Sequence, residues 1–282
     1  MILIRKASFL NNHIARQRGN GLTTGFVPTM GALHDAHISL INHSASVCDV
    51  TVCSIFVNPT QFNDPNDYNK YPDRLENDLR MLSNTRVSVI FVPPVYEIYS
   101  EGTTGLEHYD LGYLETILEG KFRPGHFQGV CQVMSRLLKA VQPDRLFMGQ
   151  KDYQQCMVVK KLLSLLNMDT SLEALPTLRD TDGLAMSSRN LRLTAEQRAK
   201  APLIFQVLTE IKSKLAPGNL DQLKHDATKR LDSGGFKVEY VEIANAENLH
   251  PVSNWNGNTP LVALVAAFMG EVRLIDNMLL NN

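Results

Sequence analysis

Two histidines spaced three residues apart are the first residues in this chain that could do chemistry. His34 and His37 follow an apolar run that ends at Val27, and an apolar pattern typical of a helix comes after them. Residues three apart share one face of a helix, so both imidazoles would face a ligand at the helix N-terminus. Backbone N–H groups and the helix dipole favour anions there. The pair therefore predicts a site for a polyanion on which charge builds during reaction, and the phosphates of ATP are the obvious candidate.

The residues before the two histidines decide between a functional and a structural interpretation of the pair. An arbitrary pair at this spacing is more often a helix cap and a surface histidine. Here the pair follows a strand-like run and a turn that contains Gly31, a residue suited to a sharp bend or to close approach of a ligand. This placement favours the functional interpretation.

Two further segments place polar side chains directly after apolar runs. Gln61 lies in a turn after residues 49–57, and a neutral amide can donate to a carboxylate and accept from a hydroxyl. Lys151 and Asp152 follow residues 145–148. The lysine could contact phosphate, and the aspartate could cap a helix or accept from a ribose hydroxyl. Each segment taken alone is equally compatible with an ordinary polar turn.

Two other segments carry groups that can bear positive charge. Residues 186–189 hold two hydroxyls and the guanidinium of Arg189, which suit a phosphate clamp on a mobile loop. A serine-rich linker between domains is the alternative interpretation. Residues 120–130 place a lysine, an arginine and a histidine beside glycines. They indicate either an anion-facing loop or an interdomain turn.

The elements that must position these residues alternate between strand-like and helix-like segments. Strands are predicted over residues 22–27, 49–57, 87–92, 145–148 and 171–175. Helices are predicted over residues 33–47, 73–82, 127–141 and 153–167. Apolar strands alternating with helices indicate right-handed βαβ units in an α/β fold, a Rossmann-like doubly wound parallel sheet. Ligands of such sheets bind beyond the carboxyl ends of the strands, where His34 and His37 lie.

The sequence pattern changes near Leu178. Helical patterns over residues 195–215 and 220–231 precede strand-like segments at 237–243, 261–268 and 272–276. We therefore expect two domains. Residues 1–177 would form the Rossmann-like, ATP-binding domain, and residues 178–282 a smaller α+β domain that closes over the nucleotide.

Composition restricts the classes of function. A net charge of -1 over 282 residues gives no support for a nucleic-acid or membrane partner. The apolar run at 261–269 is too short to span a bilayer, and residues 1–6 lack the apolar stretch of a secretory signal. The cysteines form no C-x-x-C pair, so we expect buried free thiols in a reducing cytoplasm. They are Cys48, Cys53, Cys131 and Cys156.

Taken together and in this order, these segments resemble the pantothenate synthetase (pantoate–β-alanine ligase) family of HxGH-type nucleotidyltransferases. The resemblance runs from Pro28 to about Leu193 and is weaker beyond. Residues 28–34 look like the ATP-binding signature of the family. Residues 122–127 and 186–190 also match, the latter corresponding in role to a KMSKS-type loop. The resemblance implies a fold related to class I aminoacyl-tRNA synthetases and an enzyme that acts as a homodimer.

The resemblance also implies a role for each matching residue. His37 would be the proton donor, with His34, Lys151 and Arg189 as the other catalytic residues. Leu178 would contact adenine through its backbone. The residues implied to contact ATP are Met30, Gly31, Ala32, Leu33, His34, Asp35, Ala36, His37, Gly149, Gln150, Lys151, Asp152, Leu178, Met186, Ser187, Ser188 and Arg189.

Three further positions match residues of the family that hold the other reactants. Gln61 and Gln155 would bind pantoate, and Gln61 would also serve β-alanine. Asp78 matches a position associated with the divalent ion, Mg²⁺. Two positions depart from the family pattern, since Ala36 replaces the usual glycine of HxGH and Gln150 replaces a usual glutamate. The added methyl group of Ala36 predicts an altered affinity for ATP rather than a loss of activity.

The implied reaction has two steps and needs no enzyme nucleophile. The pantoate carboxylate attacks the α-phosphate of ATP, and the amine of β-alanine then attacks the acyl carbon and releases AMP. Cationic groups and Mg²⁺ would stabilise the developing negative charge. An adenylyltransferase acting on a phosphorylated cofactor precursor is the alternative enzyme, and a nucleotide-binding sensor without chemistry is the alternative from another class. A synthetase that charges tRNA is disfavoured because the chain has no basic surplus.

Overall fold

The apolar runs of the N-terminal part form one parallel sheet in the computed structural model of this chain. Within the residues that the structure describes (1–62, 68, 71–72 and 74–281), this sheet has six strands in the order β1-β4-β3-β2-β5-β6. They are β1 (Ile2–Ile4), β2 (Thr24–Thr29), β3 (Val50–Ile55), β4 (Val89–Phe91), β5 (Arg145–Gly149) and β6 (Ser171–Leu175). Strands β3 and β4 are buried along their whole length, as expected where helices cover both faces. The predicted Rossmann-like doubly wound sheet is confirmed.

The helices of this part follow the strands along the chain. They are α1 (Ala7–Gly19), α2 (Asp35–Val47), α3 (Leu75–Ser83), α4 (Val95–Ile98), α5 (Leu118–Phe122), α6 (His126–Val141) and α7 (Tyr153–Leu165). Helix α1 was not predicted because its apolar pattern reduces to Leu10 and Ile14, which are buried one turn apart in a polar segment. Asp73, the predicted start of α3, lies outside the described residues.

The order of the strands creates a switch point at β2. The chain passes from β2 to β3 on one side and returns after β4 to β5 on the other. Pairing between β2 and β5 covers only Gly25 and Phe26, whereas pairing between β2 and β3 continues to Thr29. Beyond Phe26, β2 and β5 are therefore no longer paired with each other. Open α/β sheets bind ligands at this edge, beyond the carboxyl ends of their strands.

The C-terminal part has its own antiparallel sheet and its own core. Its strands β8 (Lys237–Asn245), β10 (Leu261–Met269) and β11 (Val272–Leu279) stand in the order β11-β10-β8. The other elements are α8 (Ala195–Lys200), α9 (Leu203–Ser213), α10 (Asp221–Ser233), β7 (Gly218–Asn219) and β9 (Asn254–Trp255). The prediction of a single helix over residues 195–215 is wrong. The helix is interrupted at Pro202, because proline has no N–H to donate to the preceding turn.

The chain divides into two compact units. One consists of residues 1–149 and 154–175, and the other of residues 150–153 and 176–282. The boundary at 175/176 lies two residues before the one expected from the sequence. Residues 150–153 belong to the second unit, although they connect β5 and α7 of the first. No helix among the described residues is long and apolar enough to cross a membrane.

The cysteines lie in the structure as free thiols. Cys53, Cys131 and Cys156 are buried, whereas Cys48 is only half-buried, which corrects the expectation that all are buried. Burial raises the pKa of Cys53 and of Cys131 to about 12. Since the thiolate is the reactive form, we expect a thiol reagent at mildly alkaline pH to label Cys48 before the others. Rapid labelling of more than one thiol in the folded protein, or equal labelling of a Cys48→Ser variant, would contradict this.

Candidate functional site

A buried carboxylate holds the turn that follows β2. Gly31 and Ala32 adopt left-handed conformations, with φ of 80° and 49°. The amide of Ala32 donates to Oδ2 of Asp78 at 2.9 Å, and the amide of Leu33 donates to Oδ1 at 2.8 Å. A Cβ atom at Gly31 would lie 3.1 Å from the same carboxylate, so glycine allows this close approach. The turn is therefore built around Asp78, which is 1% exposed.

These contacts do not fit Asp78 as a metal ligand. Both of its oxygens accept hydrogen bonds from backbone amides, and its side chain is buried. The described residues contain no group of three His, Cys, Asp or Glu side chains that could hold a metal ion. The contacts also engage two amides of the predicted ATP-binding turn, those of Ala32 and Leu33. These two amides are therefore not free to bind an anion.

We expect Asp78→Asn to destabilise the protein by about 1–3 kcal/mol, because one backbone amide would face an NH₂ group instead of an oxygen. Urea unfolding with excess Mg²⁺ and with EDTA measures this, and the loss should be the same in both. Glu76→Gln, which removes an exposed carboxylate from the first turn of the same helix, is the control and should change little. A destabilisation that depends on Mg²⁺ would restore the metal role.

The structure brings the two histidines together at the start of α2. His34 precedes the helix in an extended conformation, and its amide donates to Nδ1 of His37 at 3.3 Å. The two ring centroids lie 4.0 Å apart. Because Nδ1 of His37 accepts this bond, the neutral imidazole carries its proton on Nε2. His37 can therefore donate a proton or a hydrogen bond from Nε2 while its other nitrogen caps the helix.

Gln61 is held beside the same turn by a network of buried groups. Its Nε2 atom lies 3.1 Å from Sδ of Met30, and its Oε1 atom accepts from Nδ2 of Asn58 at 3.1 Å. Asn58 is 1% exposed and accepts a 2.7 Å hydrogen bond from the hydroxyl of Tyr99. The side chain of Gln61 is thus fixed at the carboxyl edge of the sheet, against the turn that leads to His34.

Residues 120–130 have a role that neither sequence interpretation foresaw. Arg123 donates to Nε2 of His126, so Nδ1 of this buried ring carries the proton and donates to the carbonyl of Gln61 at 2.9 Å. Gly129 allows α6 to approach the turn of Gln61, since a Cβ atom there would lie 2.2 Å from the carbonyl oxygen of Thr60. This stretch therefore positions Gln61.

In the second unit, an asparagine of β11 holds the segment that carries Lys151. The side-chain Nδ2 of Asn277 donates to the carbonyls of Gln150 and Lys151 at 2.9 and 2.8 Å. Gln150 donates in turn to Oδ1 of Asn277 at 3.3 Å. The ammonium of Lys151 lies 3.9 Å from Oδ1 of Asp152. These bonds account for the membership of residues 150–153 in the second unit.

The serine-containing segment lies at the end of a short hairpin in the same unit. The amide of Met186 donates to the carbonyl of Leu178 at 3.0 Å, which brings these two predicted ATP contacts together. Ser187 caps a short 3-10 helix (Ser188–Arg192), its Oγ accepting from the amide of Arg189 at 3.3 Å. Arg179, between these residues, forms an ion pair with Asp276 at 2.5 Å. Burial raises the pKa of Asp276, and the Arg179 guanidinium opposes this shift.

The remaining predicted residues lie at the ends of their elements. Gly149 ends β5, and Gln155 lies half-buried in the first turn of α7. Its neighbour Gln154 is 2% exposed and bonds to the backbone of residues 114, 117 and 119, so it is structural. Sequence reasoning missed Tyr99 and Asn277, for which no local signal exists.

Comparison with known proteins identifies the family. Residues 2–279 match the family described as Pantoate-beta-alanine ligase. The chain belongs to this family.

Curated relatives of this ligase family are similar to the chain over nearly its whole length. The pantothenate synthetase of Porphyromonas gingivalis (strain ATCC BAA-308 / W83) is 41% identical over 279 residues, which cover 99% of each chain. That of Bacteroides thetaiotaomicron is 40% identical over 279 residues, covering 99% of this chain and 98% of the relative. The chain is accordingly an enzyme of the pantothenate synthetase family.

Solved structures of the ligase family share the fold. Pantothenate synthetase from Thermus thermophilus is 36% identical and superimposes with a TM-score of 0.91, covering 100% of both chains. Pantoate-beta-alanine ligase from Francisella tularensis, solved in complex with beta-gamma ATP and beta-alanine, is 37% identical with a TM-score of 0.81, covering 99% of this chain and 97% of the other.

Proposed function

We propose that this chain joins pantoate to β-alanine at the expense of ATP, through a pantoyl adenylate, and releases pantothenate, AMP and pyrophosphate. The observation that carries the proposal is that Gln61, in the segment after β3, contacts Met30, which lies on the turn from β2 to His34 and His37. An imidazole pair suited to phosphate and an amide suited to a hydroxy acid therefore lie on two contacting turns at the carboxyl ends of neighbouring strands. The related Francisella enzyme, solved in complex with beta-gamma ATP and beta-alanine, supports the choice of ATP and β-alanine as substrates.

In the first step, a carboxylate oxygen of pantoate attacks the α-phosphorus of ATP, and the bond to the bridging oxygen of pyrophosphate breaks. Gln61 and Gln155 hold pantoate, because a neutral amide can donate to the carboxylate and accept from its hydroxyls. Nε2–H of His37 donates to the phosphate oxygens as negative charge builds and gives a proton to the leaving pyrophosphate. His34 lies against His37 and supports the same anion.

The remaining groups proposed to bind ATP belong to the second unit, apart from Gly149, which ends β5 of the first. We propose that Lys151 and Arg189 contact the phosphates, joined by the hydroxyls of Ser187 and Ser188. Gly149 and Asp152 contact the ribose, and the backbone of Leu178 contacts adenine. The closure of residues 178–282 over the nucleotide remains a prediction. Such closure would exclude the water that hydrolyses a mixed anhydride.

In the second step, the neutral amine of β-alanine attacks the acyl carbon of the adenylate. The bond from this carbon to the bridging oxygen breaks, and AMP leaves with that oxygen. The amine must lose a proton before attack, since a primary alkyl amine is mostly protonated near neutral pH. The side-chain oxygen of Gln61 would accept from the amine, as the resemblance implies for this position.

Three further properties stay predictions. Mg²⁺ is expected with ATP itself, and no step above passes through it, because the contacts of Asp78 do not fit a metal ligand. A homodimer is expected and is tested by light scattering. The cytoplasm is the expected location because free thiols persist in a reducing compartment.

Release of AMP and pyrophosphate from ATP tests the function directly. We expect pyrophosphate release to require pantoate, and continuous AMP production to require β-alanine as well. Pyrophosphate release that ignores pantoate would favour an adenylyltransferase with another acceptor. ATP binding without turnover under any of these conditions would favour a sensor.

A further inference from the structure

We propose that strand β11 fixes both ATP-binding segments of the second unit, with Asn277 and Asp276 as positioning residues. Asn277 holds the Lys151 segment, and Asp276 holds the hairpin that leads to Arg189. This inference rests on the proposed function, which gives Lys151 and Arg189 their phosphate contacts. Neither Asp276 nor Asn277 would touch the substrate.

The contact of Asn277 with the Lys151 segment is specific to a side-chain amide. Asn277 is 2% exposed, and its one NH₂ group donates to two successive carbonyls, those of Gln150 and Lys151. A buried carbonyl without a partner is costly, so these bonds determine the backbone path through Lys151. A carboxylate at position 277 would have the same shape but would repel both carbonyls.

The contact of Asp276 fixes the other segment. Its two oxygens accept from the guanidinium of Arg179 at 2.5 and 3.0 Å, and Arg179 also donates to the carbonyl of Gly183 at 3.1 Å. The guanidinium carbon of Arg179 lies 4.4 Å from the centroid of the Phe205 ring. A bidentate pair with these additional contacts has a defined geometry, so the hairpin from Leu178 to Met186 is held to β11.

The two contacts are joined through the backbone of β11. The amide of Asn277 donates to Oδ1 of Asp276 at 2.8 Å, and Arg179 donates to the carbonyl of Asn277 at 3.3 Å. Both residues are polar and nearly inaccessible to solvent. Buried polar groups of this kind require full hydrogen bonding, which makes the arrangement of the two segments unique.

Tyr153 provides a second, independent contact for the Lys151 segment. Its hydroxyl donates to the carbonyl of Ala246 at 2.7 Å, within the same unit. Removal of this hydroxyl leaves the ring in place and weakens the same segment without touching β11. The variant Tyr153→Phe therefore tests the proposal even if a change at Asn277 prevents folding.

The test compares Kd for ATP, by calorimetry, in the wild-type enzyme and in Asn277→Asp, Tyr153→Phe and Asn281→Asp. Asn281 is the matched control, since its amide bonds to the carbonyl of Thr259, outside the ATP-binding segments. We expect Kd for ATP to rise about tenfold or more in Asn277→Asp and about threefold in Tyr153→Phe, with Asn281→Asp unchanged. Kd for pantoate, bound by Gln61 of the first unit, should stay unchanged in all three.

The outcomes separate this inference from the proposed function. An unchanged Kd for ATP in both Asn277→Asp and Tyr153→Phe would overturn the positioning role. An equal weakening of pantoate binding would overturn it as well, because it would show a general loss of structure. If the wild-type enzyme binds ATP but releases no pyrophosphate when pantoate is added, the proposed ligase activity is contradicted. The comparison of Kd values for ATP would still test whether β11 positions the ATP-binding segments.

Discussion

His37→Gln is expected to lower the rate of pantoate-dependent pyrophosphate release by about 10²-fold or more, with little change in stability. Glutamine at the third position of a helix can accept from the amide of the preceding cap, as Nδ1 of His37 does for His34. The variant therefore keeps the helix cap but loses the proton donor at Nε2. Initial rates at saturating ATP and pantoate, with the free energy of unfolding, measure the two effects separately.

A second histidine of the same helix provides the control for His37. His43 pairs with Glu173 at 2.6 Å and has no part in the proposed reaction. His43→Gln should keep the wild-type rate. A rate for His37→Gln within about threefold of wild type would remove His37 from the mechanism and leave it a helix cap.

Gly129→Ala is expected to raise KM for pantoate by about tenfold or more and to destabilise the protein by about 1–3 kcal/mol. The added Cβ would lie 2.2 Å from the carbonyl oxygen of Thr60 and 2.7 Å from Cα of Gln61, and these backbone atoms cannot rotate away. The turn of Gln61 must therefore move. Steady-state kinetics with pantoate as the varied substrate, together with urea unfolding, measures the change.

The same substitution in another helix isolates the effect of crowding. A Cβ atom at Gly19, near the end of α1, would meet no atom within 4 Å. Gly19→Ala should leave KM unchanged and not destabilise the protein, since alanine favours a helix more than glycine does. If Gly129→Ala kept the wild-type KM for pantoate, the turn of Gln61 would not be what positions this substrate.

The sequence predicted the features that depend on neighbouring residues. The apolar runs before His34, Gln61 and Lys151 form β2, β3 and β5 as predicted, because continuous burial is visible in a local window. His34 and His37 lie together as predicted, although His34 is the extended N-cap of the helix and not a residue on its face. Helix α1 was missed because only Leu10 and Ile14 mark its buried face.

The features that the sequence did not predict depend on residues far apart in the chain. Asp78 reaches the turn at Ala32 from 46 residues away, and Asn277 reaches Lys151 from 126 residues away. No local pattern marks an aspartate as the acceptor of distant amides rather than a metal ligand. In the sequence, Gly129 is one glycine among several. Its role depends on the close approach of the backbone of Thr60, which is distant in the chain.

Transfer of an oxygen atom from pantoate to AMP tests the proposed adenylate most directly. Pantoate labelled with ¹⁸O in its carboxylate is incubated with ATP, β-alanine and the enzyme, and AMP is examined by mass spectrometry. We expect one ¹⁸O atom in each AMP formed, because the attacking carboxylate oxygen stays on phosphorus when the amine displaces it from carbon. AMP without ¹⁸O, or label in inorganic phosphate instead, would contradict the adenylate and with it the role assigned to His37.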